Sequence, residues 1–169
     1  MTLTMNRLLE IISLFGMFLL PAAELAAQPV WVPGTPAVES TGPASITLNY
    51  GMNMTGTVYI IVFNYENTSD LSSSYVRFMA LLGVGSGIVE TAVLSVKKGD
   101  ENKILQTVLQ VPDPDRVHTI YIVAADSKRK LQAKPVRLIA RTLPCQPADA
   151  GSGGDECDRD FILSAVPIL

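Results

Sequence analysis

Residues 56–63 read Gly-Thr-Val-Tyr-Ile-Ile-Val-Phe, a run in which β-branched and aromatic side chains follow one another. Such residues favour extended backbone, because branching at Cβ is accommodated better in a pleated strand than in a helix. Apolar side chains at odd and even positions alike indicate a strand with buried surface on both faces. The run therefore predicts a central strand of a sheet.

Shorter strand patterns surround this run. Ile46, Leu48 and Tyr50 alternate with polar residues up to Gly51, which is typical of a half-buried strand. Prolines in residues 29–36 exclude a helix there and suit an edge strand or a lead-in. Further strands are predicted at residues 88–96, 103–111, 118–125 and 136–142, between turns rich in Gly, Pro and Asp. About seven short strands at this spacing predict an all-β fold, an antiparallel sandwich.

One helical pattern interrupts the strands at residues 70–82. Ser69 or Asp70 can cap its start, and Gly83 can end it. A membrane-surface helix would need more cations than Arg77 on its polar face. We therefore expect an inserted amphipathic helix that packs on a sheet through Leu71, Tyr75, Phe78, Met79 and Leu82.

The N-terminus predicts export. Arg7 precedes an apolar run over residues 8–20, and small residues follow at 25–27. This pattern is typical of a secretory signal peptide, residues 1–27, cut after Ala27. The run is short for a bilayer span and contains Glu10, although a retained anchor is the alternative. We expect a protein that is secreted or held at the cell surface and that meets the membrane only during export.

The two cysteines and the balance of charge limit which kinds of protein this chain can be. Cys145 and Cys157 are the only cysteines, and an oxidising compartment favours a disulfide between them. A metal site would need more ligands, and a redox pair would have closer spacing. The chain has 13 Lys and Arg against 16 Asp and Glu, a balance that argues against nucleic-acid binding. We expect a sandwich over residues 28–143 and, over 144–169, a disulfide-stapled linker or the start of a further module.

The sixth predicted strand carries a family resemblance. Val111-Pro112, followed by His118, Ile120, Ile122, Ala124 and Asp126 at alternate positions, resembles the sixth-strand signature of fibronectin type III domains. Residues 33–36, 45–48 and 135–138 match the same plan. The resemblance implies an Ig-like, fibronectin type III-like module of the kind found in bacterial secreted or cell-surface proteins.

The chain departs from that plan at three places. The family's tryptophan on the second strand is missing, and the only tryptophan is Trp31. His118 fills the tyrosine-corner position, so we expect the hydroxyl tie from strand to loop to be absent. The helix at residues 70–82 is an addition.

The sequence offers few candidate catalytic residues. His118 is the only histidine and points inward in the predicted register, so the serines have no general base. The acids Asp113, Asp115 and Asp126 lie on turns, where aspartate is common for backbone reasons. Calcium binding by these acids, or by those at 149–160, is an open alternative. We predict no catalytic, cofactor or metal-binding residue.

The expected function is that of a non-catalytic structural or adhesive module. The alternative is a carbohydrate- or protein-binding accessory domain of a secreted multidomain enzyme, and a small enzyme is a third possibility. A glycan ligand would need exposed aromatics, which only Tyr59, Phe63, Tyr65 and Tyr121 can supply. We expect partners among cell-surface proteins or glycans and neighbouring modules, contacted through loop 64–70, exposed Tyr121 and the hairpin tip Lys128, Arg129 and Lys130.

Overall fold

The computed structural model describes residues 28–145, which form seven strands and one helix. The predicted signal peptide, Cys157 and the apolar residues 161–169 lie outside the described residues. The elements are β1 (Ala37–Thr41), β2 (Ser45–Tyr50), β3 (Gly56–Phe63), α1 (Ser73–Leu82), β4 (Ile88–Val96), β5 (Leu105–Gln110), β6 (Val117–Asp126) and β7 (Val136–Arg141). The prediction of an all-β sandwich with one inserted helix is confirmed.

The strands form two antiparallel sheets. One has the order β1-β2-β5, and the other has the order β4-β3-β6-β7. The apolar run at residues 56–63 is β3, which pairs with β4 on one side and with β6 on the other. The predicted central strand is therefore confirmed, because β3 has a hydrogen-bonded neighbour on each side.

The main core lies between the two sheets. Strand β6 turns His118, Ile120, Ile122 and Ala124 toward it, as the alternation predicts, and all four are fully buried. Thr119 and Tyr121 alternate with these residues and lie on the opposite face of the sheet. The register of β6 is therefore as predicted. The inward side chains of β2 and β3 complete this core with Ile46, Leu48, Val58, Ile60 and Val62.

A second core lies under α1, on the outer face of the four-stranded sheet. The helix covers the outward side chains of β3 and β6 through Val76, Met79 and Ala80. Ser72 caps its start, since the hydroxyl oxygen accepts from the Tyr75 amide at 3.2 Å. Gly83 ends it in the left-handed conformation, which glycine adopts without strain. The covered sheet residues are Tyr59, Ile61, Phe63, Tyr121, Val123 and Ala125.

The predicted buried face of the helix is largely wrong. Tyr75, Phe78 and Leu82 point to solvent, and of the predicted set only Met79 and Leu71 contact the second core. Periodicity could not fix the rotation, because α1 has apolar side chains around most of its circumference. The sheet surface beneath is already filled by aromatic rings, so the smaller Val76 and Ala80 allow the closer approach.

The turn before β6 has a contact that the sequence did not predict. The His118 Nε2 lies 3.3 Å from the Asp113 carbonyl oxygen, five residues upstream. Since a carbonyl only accepts, Nε2 carries the proton in this contact. The Thr142 hydroxyl donates to the same oxygen at 2.7 Å. The hydroxyl tie is absent, as expected, and the His118 ring contacts the upstream turn in its place.

Candidate interaction surface

The outer face of α1 is an apolar surface without a covering element in the described part of the chain. Tyr75, Phe78, Leu81 and Leu82 are 41%, 60%, 58% and 53% exposed, and Val84 beyond the helix is more exposed still. A helix on a protein surface normally turns polar side chains outward. Clusters of exposed large apolar side chains are typical of interaction sites. We call Tyr75, Phe78, Leu81, Leu82 and Val84 the α1 face.

The loop that leads into α1 is fastened to β6. The Thr119 hydroxyl accepts from the Asn67 amide at 2.8 Å, and the Tyr121 hydroxyl lies 3.0 Å from the Asn67 carbonyl and 2.6 Å from that of Ser69. Arg137 on β7 donates to the same Asn67 carbonyl at 3.0 Å. These bonds hold a segment that has no regular structure of its own. The α1 face is therefore carried on a helix whose entry is fixed by the sheet.

A groove runs along one flank of α1. Its volume is about 250 Å³, and its lining residues are Ser74, Arg77, Phe78, Leu81 and Leu131. The Arg77 guanidinium carbon lies 5.9 Å from the centre of the Tyr59 ring, within reach of a cation–π contact. Leu131, which also lines the groove, bridges to Ala125 at the end of β6. The groove is therefore mostly apolar, with one cation at its side.

Tyr121, predicted as part of an exposed contact surface, is only 2% exposed and lies under α1. Burial is the main cause that raises the pKa of its hydroxyl, with smaller opposing contributions from Arg137. The alternation in β6 placed Tyr121 on the outer face correctly. What it could not show is that a helix covers that face. Tyr121 therefore supports the α1 face from below and is not itself a contact residue.

Helix α1 also buries most of the aromatic side chains that were expected to be exposed. Tyr59 and Phe63 are buried beside Tyr121, and the Phe63 ring meets the rings of Tyr121 and Tyr65 edge to face, with centroids 6.0 and 5.4 Å apart. Only Tyr65 of the four is exposed. The exposed aromatic rings on this side of the described domain are Tyr65 and, on α1, Tyr75 and Phe78.

The hairpin tip is exposed as predicted. Lys128, Arg129 and Lys130 all face solvent, and the Asp126 carboxylate accepts from the Lys130 amide at 2.7 Å to close the turn. Arg129 has a φ of 67°, a left-handed conformation that a tight turn imposes. Because Leu131 follows directly, the tip places its cations beside the groove of α1.

Two of the three turn acids have structural partners. Asp115 forms an ion pair of 3.0 Å with Arg141, and Asp126 closes the hairpin. Within residues 28–145 no three His, Cys, Asp or Glu side chains gather as metal ligands would. In the same range no helix has the length and apolarity to span a bilayer.

Of the two cysteines, Cys145 is the last described residue and is not a free thiol. Cys157 lies outside the described residues. The pairing of Cys145 with Cys157 stays a prediction.

The α1 face was missed in the sequence, although a signal for it is present. Residues 73–82 contain a single charged residue, Arg77, and apolar residues fall on both sides of the helix. One side can be buried against a sheet, so the excess must point outward. No protein-family model, curated protein or solved structure matches the chain.

Proposed function

We propose that this chain is an exported, non-catalytic structural or adhesive module that acts through the α1 face. The observation that carries the proposal is the set of large apolar side chains held outward on a fastened helix. Interface centres are rich in aromatic and large aliphatic residues and poor in charge. The α1 face has this composition, with Phe78 near its middle.

The arrangement of strands supports the fibronectin type III-like resemblance. In an Ig constant-type sandwich the fourth strand joins the sheet of the first two. Here β4 pairs with β3 instead, which leaves three strands in one sheet and four in the other. The tie from His118 to the Asp113 carbonyl supports the same resemblance, because it reproduces the bond of the tyrosine corner.

A protein is the partner that the α1 face fits best. Glycan recognition depends on flat aromatic surfaces, and the α1 face has only two aromatic rings, Tyr75 and Phe78, while three of the four rings expected from the sequence lie under α1. The exposed side chains of the face are mostly aliphatic, and they suit a complementary apolar surface. The nearby cations at Lys128, Arg129 and Lys130 favour a partner with an acidic rim.

The environment of His118 supports a non-catalytic role. The ring is fully buried, and its Nε2 is bonded to a backbone carbonyl. A general base must reach the substrate proton directly or through one water molecule. The only histidine of the chain is thus placed to hold a corner of the fold.

Binding to intact cells of the organism that encodes the chain tests the proposal. The exported protein, with an N-terminus at or within a residue or two of Gln28, is labelled and titrated onto the cells. We expect saturable binding that Phe78→Glu weakens at least about tenfold, since a central apolar contact carries much of the binding free energy. Val108→Glu is the matched control, because Val108 is also more than half exposed but lies on β5 of the three-stranded sheet.

Two results would contradict the proposal. Recovery of intact Met1 in a membrane fraction would show that the chain is anchored by its N-terminus. Equal binding of the Phe78 and Val108 variants would show that the α1 face is not the contact surface.

A further inference from the structure

Strand β4 forms an edge of the four-stranded sheet that no other strand of residues 28–145 covers. It pairs only with β3, and this pairing is regular from Glu90 to Val96. Edge strands are normally protected from further pairing by lysine, proline, a bulge or a short length. Residues 91–96 contain no charged residue and no proline, and Val93 is 45% exposed. The edge is therefore suited to accept another strand.

The opposite edge of the same sheet is protected. Strand β7 follows Pro135 and turns Arg137 and Arg141 to solvent. Two copies that met at this edge would bring four arginines together, because each copy contributes two. Pairing through the four-stranded sheet is thus favoured at β4 and disfavoured at β7.

The hydrogen-bonding phase of the sheet shows which backbone groups face the open edge. In β6 the Ala124 amide donates to the Gln132 side chain at 3.0 Å, and its carbonyl accepts from the Gln132 amide, so both groups point away from β3. Because backbone groups alternate between the two neighbours of a strand, this phase carries through β3 to β4. The Thr91 amide agrees with it, since it donates to the Glu90 carboxylate at 3.0 Å. The residues whose N–H and C=O groups face the open edge are Thr91, Val93 and Ser95.

Charge selects one register in which a second copy pairs with this edge. Since hydrogen-bonded pairs form only between residues that face the edge, antiparallel registers change in steps of two residues. The register centred on Leu94 places Glu90 opposite the partner's Lys98, and twofold symmetry forms this pair twice. A shift by one step places Glu90 opposite the partner's Val96 or the partner's Asp100, an apolar residue or a like charge. The chain therefore supplies its own complementary strand.

Glu90 is placed to exchange its contacts when the strands pair. Its carboxylate is bonded to the Thr91 amide and forms no ion pair within residues 28–145. Burial raises the pKa of this carboxyl, so a nearby cation would stabilise its charged form. Lys98 lies exposed in the turn after β4. Pairing brings the partner's Lys98 to the carboxylate and frees the Thr91 amide for the partner's backbone.

A second copy is the occupant that these observations favour. Strand addition takes its affinity from main-chain hydrogen bonds and its specificity from side chains, and a single β4 provides both the edge and the complementary charges. Strand β5 is an edge of the other sheet, but its six residues carry no charge that could select a register. Pairing of one strand gives a small interface, below about 1,200 Å² in total, and such interfaces bind weakly. We therefore expect a dissociation constant of about 10 μM.

We infer that two copies of the chain associate through β4 as an antiparallel pair, in the register that places Glu90 opposite the partner's Lys98. The two four-stranded sheets then form one sheet of eight strands. The twofold axis is perpendicular to this sheet, so the outer faces of both copies, with their α1 helices, lie on the same side. A dimer of this kind presents two α1 faces in one direction and binds a surface with increased avidity. The avidity rests on the proposed function of the α1 face, but the association does not.

Sedimentation equilibrium of the exported protein tests the association. We expect the average mass to rise from one chain toward two between about 1 and 100 μM, and Val93→Pro to weaken the association at least about tenfold. Proline at position 93 removes an amide that faces the edge and no hydrogen bond to β3. Val108→Pro is the matched control. The Val111 amide bonds to the Ala44 carbonyl beside β2, so by the same alternation the Val108 amide faces the free side of β5.

Three results of this experiment would overturn the inference. The first is a wild-type chain that stays monomeric at about 100 μM, ten times the expected dissociation constant. The second is equal association of the two proline variants. The third is a dimer that dissociates on reduction, because such a dimer would be held together by cysteines.

Charge exchange tests the register with the β4 backbone intact. Lys98→Glu places like charges at both ends of the strand pair and should weaken the association about tenfold. Adding Glu90→Lys restores opposite charges and should recover the association to within about threefold of wild type. Lys134→Glu, exposed before β7, is the control and should leave the association unchanged. No loss in Lys98→Glu, or no recovery in the double variant, would overturn the register and the inference with it.

The two proposals fail separately. A monomeric chain whose binding to cells is lost in Phe78→Glu would keep the proposed function and refute the inference. A dimer that Val93→Pro dissociates, with equal cell binding of Phe78→Glu and Val108→Glu, would do the reverse.

Discussion

The hydroxyl of Tyr121 lies 2.6 Å from the carbonyl oxygen of Ser69, so a side chain of β6 fixes the backbone that enters α1. The two residues are 52 positions apart in the sequence. The ring of Tyr121 fills the second core while its hydroxyl reaches the loop at the edge of that core. The same residue therefore packs the underside of the helix and sets where the helix begins.

Tyr121→Phe should loosen the entry to α1 without emptying the second core. Loss of the hydroxyl leaves the Ser69 carbonyl unpaired, and we expect a cost of about 1–2 kcal/mol in the free energy of unfolding. Amide exchange should rise in residues 64–72 and stay unchanged in β2. Tyr75→Phe on the exposed side of α1 is the control and should be close to neutral. Equal stability of the two variants would show that the Tyr121 hydroxyl does not fasten the loop.

The two errors about this region have one physical cause. Alternation in β6 assigns Tyr121 and Ile122 to opposite faces of the sheet but does not say what covers the outer face. Helical spacing identifies α1 but not its rotation, because Val76, Phe78 and Leu82 are all apolar. Rotation was decided by the shape of the sheet surface, which arises from residues distant in the sequence. The exposed side of α1 therefore could not be predicted without knowing how the helix packs on the sheet.

Glu90→Gln should stabilise the protein at neutral pH. Glu90 is in phase with Ala92 and Leu94 on β4 and pairs with Val62, so its carboxyl lies at the border of the main core. Burial raises the pKa of this carboxyl above its ordinary value. The protonated form is thus favoured in the fold, and its contribution to stability is complete below the unfolded-state pKa. That contribution is lost as pH rises through the folded-state pKa.

Urea unfolding at several pH values measures the effect. Because Glu90 is partly exposed, solvent screening limits the gain from Glu90→Gln to less than about 1 kcal/mol at pH 7. The gain should shrink as pH falls below about 4, where the wild-type carboxyl is protonated as well. Exposed Glu66 provides the control variant, Glu66→Gln. A gain that grows toward acid pH would contradict the inward position of Glu90.

The stability of the turn before β6 should depend more on the hydrogen bonds of Thr142 than on that of His118. The Thr142 hydroxyl accepts from the Arg116 amide at 3.0 Å and donates to the Asp113 carbonyl at 2.7 Å. His118 reaches that carbonyl at 3.3 Å, and its buried Nδ1 has no partner within residues 28–145. An apolar ring at position 118 would remove the unpaired nitrogen along with the longer bond.

Thermal or urea unfolding of Thr142→Val and His118→Phe compares the loss of stability in the two variants. We expect Thr142→Val to cost about 1–2 kcal/mol, since it leaves the Arg116 amide and the Asp113 carbonyl without this partner, and His118→Phe to cost less than about 1 kcal/mol. The reverse order would mean that the histidine is the main tie of the corner.

The main core is where the sequence was most informative. The alternation of Ile120, Ile122 and Ala124 predicted their common burial, because one face of β6 had to meet the opposite sheet. The bond from His118 to Asp113 was not predictable in the same way, since it depends on ring geometry at a turn. The strand patterns thus predicted which side chains share a buried face. Individual polar contacts could be identified only from the structure.

Ile122→Ala should be among the most damaging single substitutions in the sandwich. Ile122 is fully buried on the inner face of β6, opposite Ile60 of β3, and both belong to the main core. Removing three carbon atoms there leaves a cavity that the close-packed sheets cannot fill, at a cost of about 2–5 kcal/mol. Val93→Ala on β4 is the control, because Val93 lies on the outer face and is nearly half exposed. Urea unfolding of both variants gives the comparison, and a change below about 1 kcal/mol for Ile122→Ala would mean that β6 is displaced by one residue from the register described here.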